Sequence, residues 1–396
     1  LALTLSPTST AGTEALSPFC IACAYRWAAE SVLNVLLFLP LGTAVPRPGE
    51  GVRGVAKAVA AGLALSLAVE VAQLAVPGRH PALGDLLANT TGSGLGGFLT
   101  VTAGTWLWTS GRPRRGVTAV WGAAVVAVLL ATSWLLGPSL PRSTYWGQHA
   151  PELGQFDTFP GVIVEARVGD LSLPAGRLDP DERDRVRGRL LRRQRLSAEA
   201  IFGGRTQALA PLVSIFDDRQ REILELGQEG GDLVFRLRRR ADAIGLERPE
   251  LRARNLLASV ESGETVRTAV RPPTGDARHE SGANRETLCL AAGTSVQCGL
   301  GFRPGRGWRL LLDLELPPGP ARWADGTWIA VLFLPLGYWA NPGLEWRGAV
   351  VAASGALLLA PGTGAVLGVG GAEVAGLIVG LAVGFLARRL SAGMPG

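Results

Sequence analysis

Val35-Leu36-Leu37-Phe38-Leu39-Pro40-Leu41-Gly42 is nearly repeated late in the chain as Ala330-Val331-Leu332-Phe333-Leu334-Pro335-Leu336-Gly337, and each copy precedes an Arg-Gly and another apolar run. From about Gln148 to Pro320, between the copies, charged residues crowd together. Both flanks are Ala, Val, Leu and Gly with almost no charge. The chain therefore reads as two membrane parts around a polar insert. Its 396 residues are 47% hydrophobic and 18% charged, against roughly 25% charged in typical soluble proteins. This balance excludes a disordered chain and disfavours a purely soluble enzyme. The formal charge is +6, but its cations are nearly all Arg, with Lys57 the single lysine. That bias fits a GC-rich coding sequence better than a nucleic-acid surface, so no nucleic-acid partner is expected.

A bilayer core takes about 20 apolar residues per helix. Runs near that length lie at about Ala28 to Val45, Val55 to Val76, Leu83 to Trp108, Val117 to Leu136, Trp346 to Pro361 and Ala365 to Ala387. Thr327 to Ala340 is a shorter run that needs its Trp flanks to reach the interfaces. Met394 is the sole methionine, and Leu1 to Pro7 reads as the tail of an apolar segment, which implies either a truncated first span or an unusual start codon. Basic residues concentrate in the short loops, at Arg47, Arg53, Lys57, Arg112, Arg114, Arg115, Arg347, Arg388 and Arg389; Arg79 is the main exception. With those loops cytoplasmic, one zigzag results. It puts the insert outside the cell and the C-terminus inside. The expected architecture is a multi-pass α-helical membrane protein with an inserted extracytoplasmic all-β jelly-roll or sandwich domain. Its parts are residues 1–138, 139–322 and 323–396, the last a degenerate copy of the first in which Gly384-Phe385-Leu386 answers Gly97-Phe98-Leu99.

Ionisable groups at membrane depth persist where they pair, face a cavity or serve a function. Ser66, Glu70 and Gln73 are spaced four and three apart, on one helix face. Asp85 and Asn89 are four apart and continue through Ser93, and the intervening loop supplies Arg79 and His80. Asn34 lies about six residues inside its span, roughly 9 Å deep at 1.5 Å per residue. Asn34, Ser66, Glu70, Gln73, Arg79, Asp85 and Asn89 are thus expected to gather near the outer leaflet, below Arg26 and Glu30. Two readings stay open. One is a bundle glued by interhelical hydrogen bonds, with Arg79 neutralising a carboxylate. The other is a pocket for a polar head group, with Glu70 or Asp85 as acid or base. The second half is read as lacking such a stripe, which weighs against glue alone and against a transporter built on the repeat.

Asn34 with Phe38-x-Pro40-x-Gly42, Ser66-x-x-x-Glu70-x-x-Gln73, Arg79, and Asp85-x-x-x-Asn89-x-x-Gly92-x-x-x-Gly96 together resemble the VanZ-like membrane proteins over roughly residues 1–135. Thr4-Leu5-Ser6-Pro7 is similar to the end of that family's first helix. The resemblance implies a multi-pass bacterial envelope protein, its namesake being linked to low-level teicoplanin resistance, and brings no established catalytic mechanism. Leu86 stands where the family often has a second Asp, which weakens any paired-aspartate metal site. No metal and no cofactor are expected. Gly92-x-Gly94-x-x-Gly97 matches a dinucleotide fingerprint, but no strand precedes it, so Gly92 and Gly96 read as helix contact points.

The insert is long enough for its own core. Leu212–Phe216, Glu222–Gln228 and Asp232–Arg238 alternate as strands, Trp308–Leu316 reads as a further one, and an antiparallel sandwich follows. Ile215 through Arg238 is similar to laminin-G-like or concanavalin-A-like domains, which implies binding of carbohydrate or protein, sometimes through calcium. Asp217, Asp218 and Asp232 are the acidic candidates for that ion, but acidic turns are common and no metal is assigned. Asp179-Pro180-Asp181-Glu182 opens a capped, arginine-rich surface helix through about Arg195, either a solvated face or a contact for anionic lipid or wall polymer. Cys289 and Cys298 suit a hairpin disulfide, and Cys20-x-x-Cys23 reads as packing. The partners expected are membrane lipids, with a lipid-linked wall precursor or cell-wall glycan. The leading function is an outward polar pocket beside an exported glycan- or wall-binding domain. The alternative is a membrane enzyme modifying a lipid head group or lipid-linked precursor.

Overall fold

The computed structural model describes residues 21, 26–47, 49–76, 82–107, 111–152, 156–272, 287–340, 343–360 and 366–392. Arg79, His80, Cys20, Cys23 and the expected first span lie outside them. The long helices of the first half are α1 (Trp27–Ala44), α2 (Val52–Gln73), α3 (Leu83–Val101) and α4 (Gly111–Leu135). A surface helix, α5 (Pro180–Leu191), lies in the insert. The second half contributes α6 (Pro318–Tyr338), α7 (Leu344–Leu359) and α8 (Gly371–Ala392). Among the described residues, four helices are long and apolar enough to cross a membrane: Trp27–Ala44, Val52–Gln73, Arg114–Leu135 and Gly371–Ser391. The short run expected at Thr327 is corrected. Its helix begins at Pro318 and has 21 residues, because Pro318 suits a helix's first turn and the helix carries Asp325 on a buried face.

Glycines set the helix packing. A Cβ at Gly92 would strike the Val35 carbonyl oxygen, and one at Gly96 that of Leu39, so α1 and α3 touch backbone to backbone. Gly62 and Gly97 bring α2 close to α3 through side-chain contacts, with Ser93 and Ala58. The second half reproduces the first contact residue for residue: Gly380 meets Ala330 and Gly384 meets Leu334 where α6 crosses α8. The register pairs Gly384 with Gly96, correcting the expected pairing with Gly97. One residue is a 100° turn on a helix, and Gly97 faces α2 instead. The likeness ends at α7, which packs on α4, with Gly122 against Ala349, rather than on α8.

The insert folds into two six-stranded antiparallel sheets. They are built from β1 (Trp146–His149), β2 (Val162–Val168), β3 (Leu171–Ser172), β4 (Gly176–Arg177), β5 (Leu196–Ile201), β6 (Ala210–Phe216), β7 (Glu222–Glu229), β8 (Asp232–Leu237), β9 (Leu251–Ala253), β10 (Thr265–Arg271), β11 (Leu288–Ala292) and β12 (Ser295–Leu300). The strand orders are β4-β1-β6-β7-β8-β9 and β12-β11-β10-β5-β2-β3. Both sheets feed one apolar core, Leu212, Leu224 and Leu226 from the first and Leu196, Ala198 and Val270 from the second. Cys289 and Cys298 are joined across the β11–β12 hairpin. Helix α5 opens with a capping box between Asp179 and Glu182 and stops at Leu191, four residues short of the expected end, because Arg193 takes a positive φ. Trp308–Leu316 is not a strand. Pro304–Leu310 is a 3-10 turn whose Trp308 indole donates to Asp325 Oδ1 at 2.9 Å, and the Leu311 and Leu312 N–H groups return to the Trp308 carbonyl.

Sheets and helices form a continuous body. The Ala28 and Ala29 N–H groups donate to Gly245 O, Arg26 pairs with Glu247 at 2.7 Å, and the Arg239 and Arg240 guanidinium groups hold the carbonyls of Leu136 and Trp134. The N-terminal ends of α1, α6 and α8 and the C-terminal end of α4 therefore share the sheet-bearing side. Arg114, bonded to the Trp339 and Ala340 carbonyls, and Arg115, paired with Glu345 at 3.2 Å, lie at the opposite end.

The acidic turns of the insert are neutralised by arginine. Asp217 accepts from the Arg219 and Arg221 N–H groups and the Arg221 and Arg238 side chains, and Asp232 pairs with Arg252 at 3.2 Å. Nothing in that arrangement favours calcium. Glu225, 1% exposed on β7, has Arg236 at 4.0 Å, and neither carboxylate oxygen accepts a hydrogen bond. Burial, then the neighbouring Glu222 carboxylate, push it far above the usual carboxylate range. A raised folded-state pKa means the native state holds a proton that the unfolded chain releases, so stability falls as pH rises from the ordinary value of 4.5. Glu225→Gln should flatten that fall and raise Tm at pH 8, by roughly 2–4 °C per kcal/mol relieved. Thermal unfolding at pH 5 and pH 8 checks it, and a lower Tm at both would contradict a neutral Glu225.

Candidate functional site

Why polar side chains meet at the sheet-bearing end of α1, α2 and α3 follows from the glycine contacts. With α1 and α3 at backbone distance, a side chain on one can bond across to the other without bending either. Asn34 Nδ2 donates to Asp85 Oδ1 at 2.9 Å. Asn89 Nδ2 donates to Ser66 Oγ at 3.0 Å, which ties α3 to α2. Ser93 Oγ donates to the Phe38 carbonyl at 3.4 Å, one turn deeper. Glu70 Oε2 accepts the Ala82 N–H at 2.9 Å, so the end of α2 holds the start of α3. The Asp85 charge lies within electrostatic reach of Glu70.

Ser66, Glu70, Gln73, Asn89 and Ser93 are all buried. In a low-dielectric bundle such groups are kept only when bonded. The internal bonds do not use every acceptor: Asn89 Oδ1 is buried and accepts none. Asn34, Ser66, Glu70, Asp85 and Asn89 are thus brought together, with Gln73 buried one turn beyond Glu70. Arg79 falls outside the described residues. Arg26, expected above the site, reaches sideways to Glu247, with Glu30 only at 3.9 Å. Glu247 is pushed up to about 7, chiefly by burial, against the pull of Arg26.

The second half, expected to lack such a polar stripe, has two buried acidic side chains among the described residues. By the glycine register Asp325 stands where Glu30 does, and Glu373 where Asp85 does. They are 3% and 1% exposed. Asp325 accepts from Trp308, and Glu373 Oε2 accepts the Gly370 N–H at 3.0 Å. Ile329 and Leu377 replace Asn34 and Asn89, so the inner hydrogen bonds are gone and apolar packing takes their place. The signal was in the sequence, in the spacing of Asp325 from Pro335 and of Glu373 from Gly380. Starting the span at Thr327 hid the first.

The family model described as VanZ/LLP1 matches residues 4–104, and this N-terminal part is a VanZ-like domain. The match covers the helices that carry the constellation. No curated protein and no solved structure matches the chain.

The second helix pair supplies a natural control for the first. Because Ile329 and Leu377 pack at the equivalent places, Asn34→Ile with Asn89→Leu should leave the protein folded, with Tm within a few degrees. Gly96→Val, which drives a side chain into the Leu39 carbonyl, should abolish purification of the folded protein. Size-exclusion profiles and thermal unfolding in detergent read both. Collapse of the Asn variant would make the amides structural glue.

Proposed function

We propose that the chain is a VanZ-like envelope protein whose α1–α3 constellation recognises a polar head group of an envelope component, while the sheets engage glycan or another wall component outside the cell. The observation that carries this reading is the bonding of Asn34 to Asp85 and of Asn89 to Ser66, which assembles carboxylates and amides from separate helices within the VanZ-like region. Orientation is supported by charge: Arg114, Arg115 and Arg388 sit at the end away from the sheets, and basic ends favour the cytoplasm. The sheet-bearing end then faces outward, with the C-terminus inside. The shared glycine register of α1–α3 and α6–α8 supports a duplicated, diverged VanZ-like unit. Sugar binding rests on the two-sheet architecture alone.

Reduced glycopeptide susceptibility follows from this reading. Expression in a teicoplanin-sensitive bacterium should raise the inhibitory concentration at least about twofold. Glu70→Ala and Asp85→Asn should return it to the empty-vector level at equal membrane abundance. Resistance untouched by both substitutions would remove the constellation from the mechanism. A lipid or wall-precursor species that appears with the wild type and vanishes with Glu70→Ala would move the reading to catalysis, with Glu70 or Asp85 as general base.

A further inference from the structure

Where the sheets meet the second helix pair, a cavity of about 510 Å³ opens between β9, β12, the 3-10 turn and the starts of α6 and α8. It is separate from the α1–α3 constellation. Arg252, Arg254, Arg303, Arg306, Arg309 and Arg322 line it, with four carboxylates. Glu250 is paired with Arg236 and Arg252 at 2.8 and 2.6 Å, Glu315 with Arg309, and Asp325 with Trp308 and Arg306, while Glu373 takes the Gly370 N–H on Oε2 and its buried Oε1 accepts no hydrogen bond. Arg254 and Arg303 bond only to the carbonyls of Leu316 and Gly368, at 3.0 and 2.7 Å, and the exposed Arg322 has no ion pair among the described residues. Three guanidinium groups thus face one cavity with no carboxylate in ion-pair range among the described residues. Guanidinium groups bind phosphate by paired N–H bonds, and a cavity holding several of them favours a phosphate-bearing anion.

Directly below, a second depression of about 440 Å³ runs between α6 and α8 and shares Arg322 and Ala372 with the cavity. Small residues form its floor, Gly326, Ala330, Ala375 and Gly376, because the two helices touch there, and Val379 closes its far end. Trp323 stands at its mouth, 79% exposed. Tryptophan is enriched where head groups meet chains, and the other wall of this groove, α8, is one of the candidate spans. A cationic cavity above that level and an apolar channel below it, joined at Arg322, match one amphiphile in both halves.

We infer that this junction binds an anionic phospholipid, its phosphate among Arg254, Arg303 and Arg322 and one chain in the α6–α8 groove. The lipid would seat the sheets against the membrane surface. A head group alone leaves the groove empty, and a zwitterionic lipid brings its phosphate together with a quaternary ammonium that the cluster of arginines repels, so selectivity for a net negative head group and occupation of the groove are both required.

Full-length protein in nanodiscs of phosphatidylcholine doped with phosphatidylglycerol tests this by native mass spectrometry of the retained lipid. The wild type should retain phosphatidylglycerol preferentially by about tenfold, equivalent to about 1.4 kcal/mol. Arg303→Gln with Arg322→Gln should bring the preference near unity. Arg322→Gln alone, at an exposed side chain that cannot compromise folding, should lower it severalfold. Ala375→Trp, which fills the groove from an exposed position, should lower phosphatidylglycerol retention while Tm in pure phosphatidylcholine stays unchanged. Equal preference in wild type and arginine variants overturns the proposal. So does displacement of the lipid by soluble glycerol phosphate at matched concentration, which would make this a free-anion site.

Discussion

Backbone contact between helices is the constraint on which everything else rests. In an apolar medium helices gain little from hiding hydrophobic side chains from one another, and association depends on close packing and on hydrogen bonds made across the contact. Gly92 and Gly96 let α3 lie on the α1 backbone, and Gly380 and Gly384 let α8 lie on α6 in the same way. That approach fixes rotation as well as distance. It turns Asp85 toward Asn34 in the first pair and buries Glu373 beside the 3-10 turn in the second.

The two pairs use one frame for different chemistry. In the first, amides and carboxylates bond between the helices themselves. In the second, Ile329 and Leu377 have replaced the amides, and the polar groups are displaced to the helix ends, where the insert supplies Trp308 and Arg306. The second pair packs at the same glycine spacing without amides, so close helix contact of this kind does not require them. Of the two buried acidic side chains, Asp325 binds the insert through Trp308 and Arg306, and Glu373 holds the Gly370 N–H at the start of α8.

The join between sheets and helices is polar as well as apolar, which explains why the insert behaves as part of the body. Arg239 and Arg240 satisfy the last carbonyls of α4, groups with no partner inside their own helix. Gly245 O receives the first N–H groups of α1 in the complementary way. The apolar core of the sheets continues through Leu136 and Ala360 at the helix ends.

Apolar run length, the position of the polar insert and the alternation of β6 to β8 were legible in the sequence, because hydrophobic period and length are local properties of the chain. So was the grouping of Asn34, Ser66, Glu70, Asp85 and Asn89, since spacings of three and four put residues on one helix face whatever lies opposite. Three features were decided elsewhere. Trp308–Leu316 alternates like a strand, yet its indole bonds to Asp325 on α6 and the backbone of Pro304–Leu310 is a 3-10 turn. Gly384 pairs with Gly96 rather than Gly97 because only a facing helix can say which of two adjacent glycines is touched. The arginine cavity draws its lining from β9, β12, α6 and α8 at once, and no sequence period links them. Local pattern determined the elements and their faces; contacts between residues distant along the chain decided which charges were spent on each other and which were left facing open space.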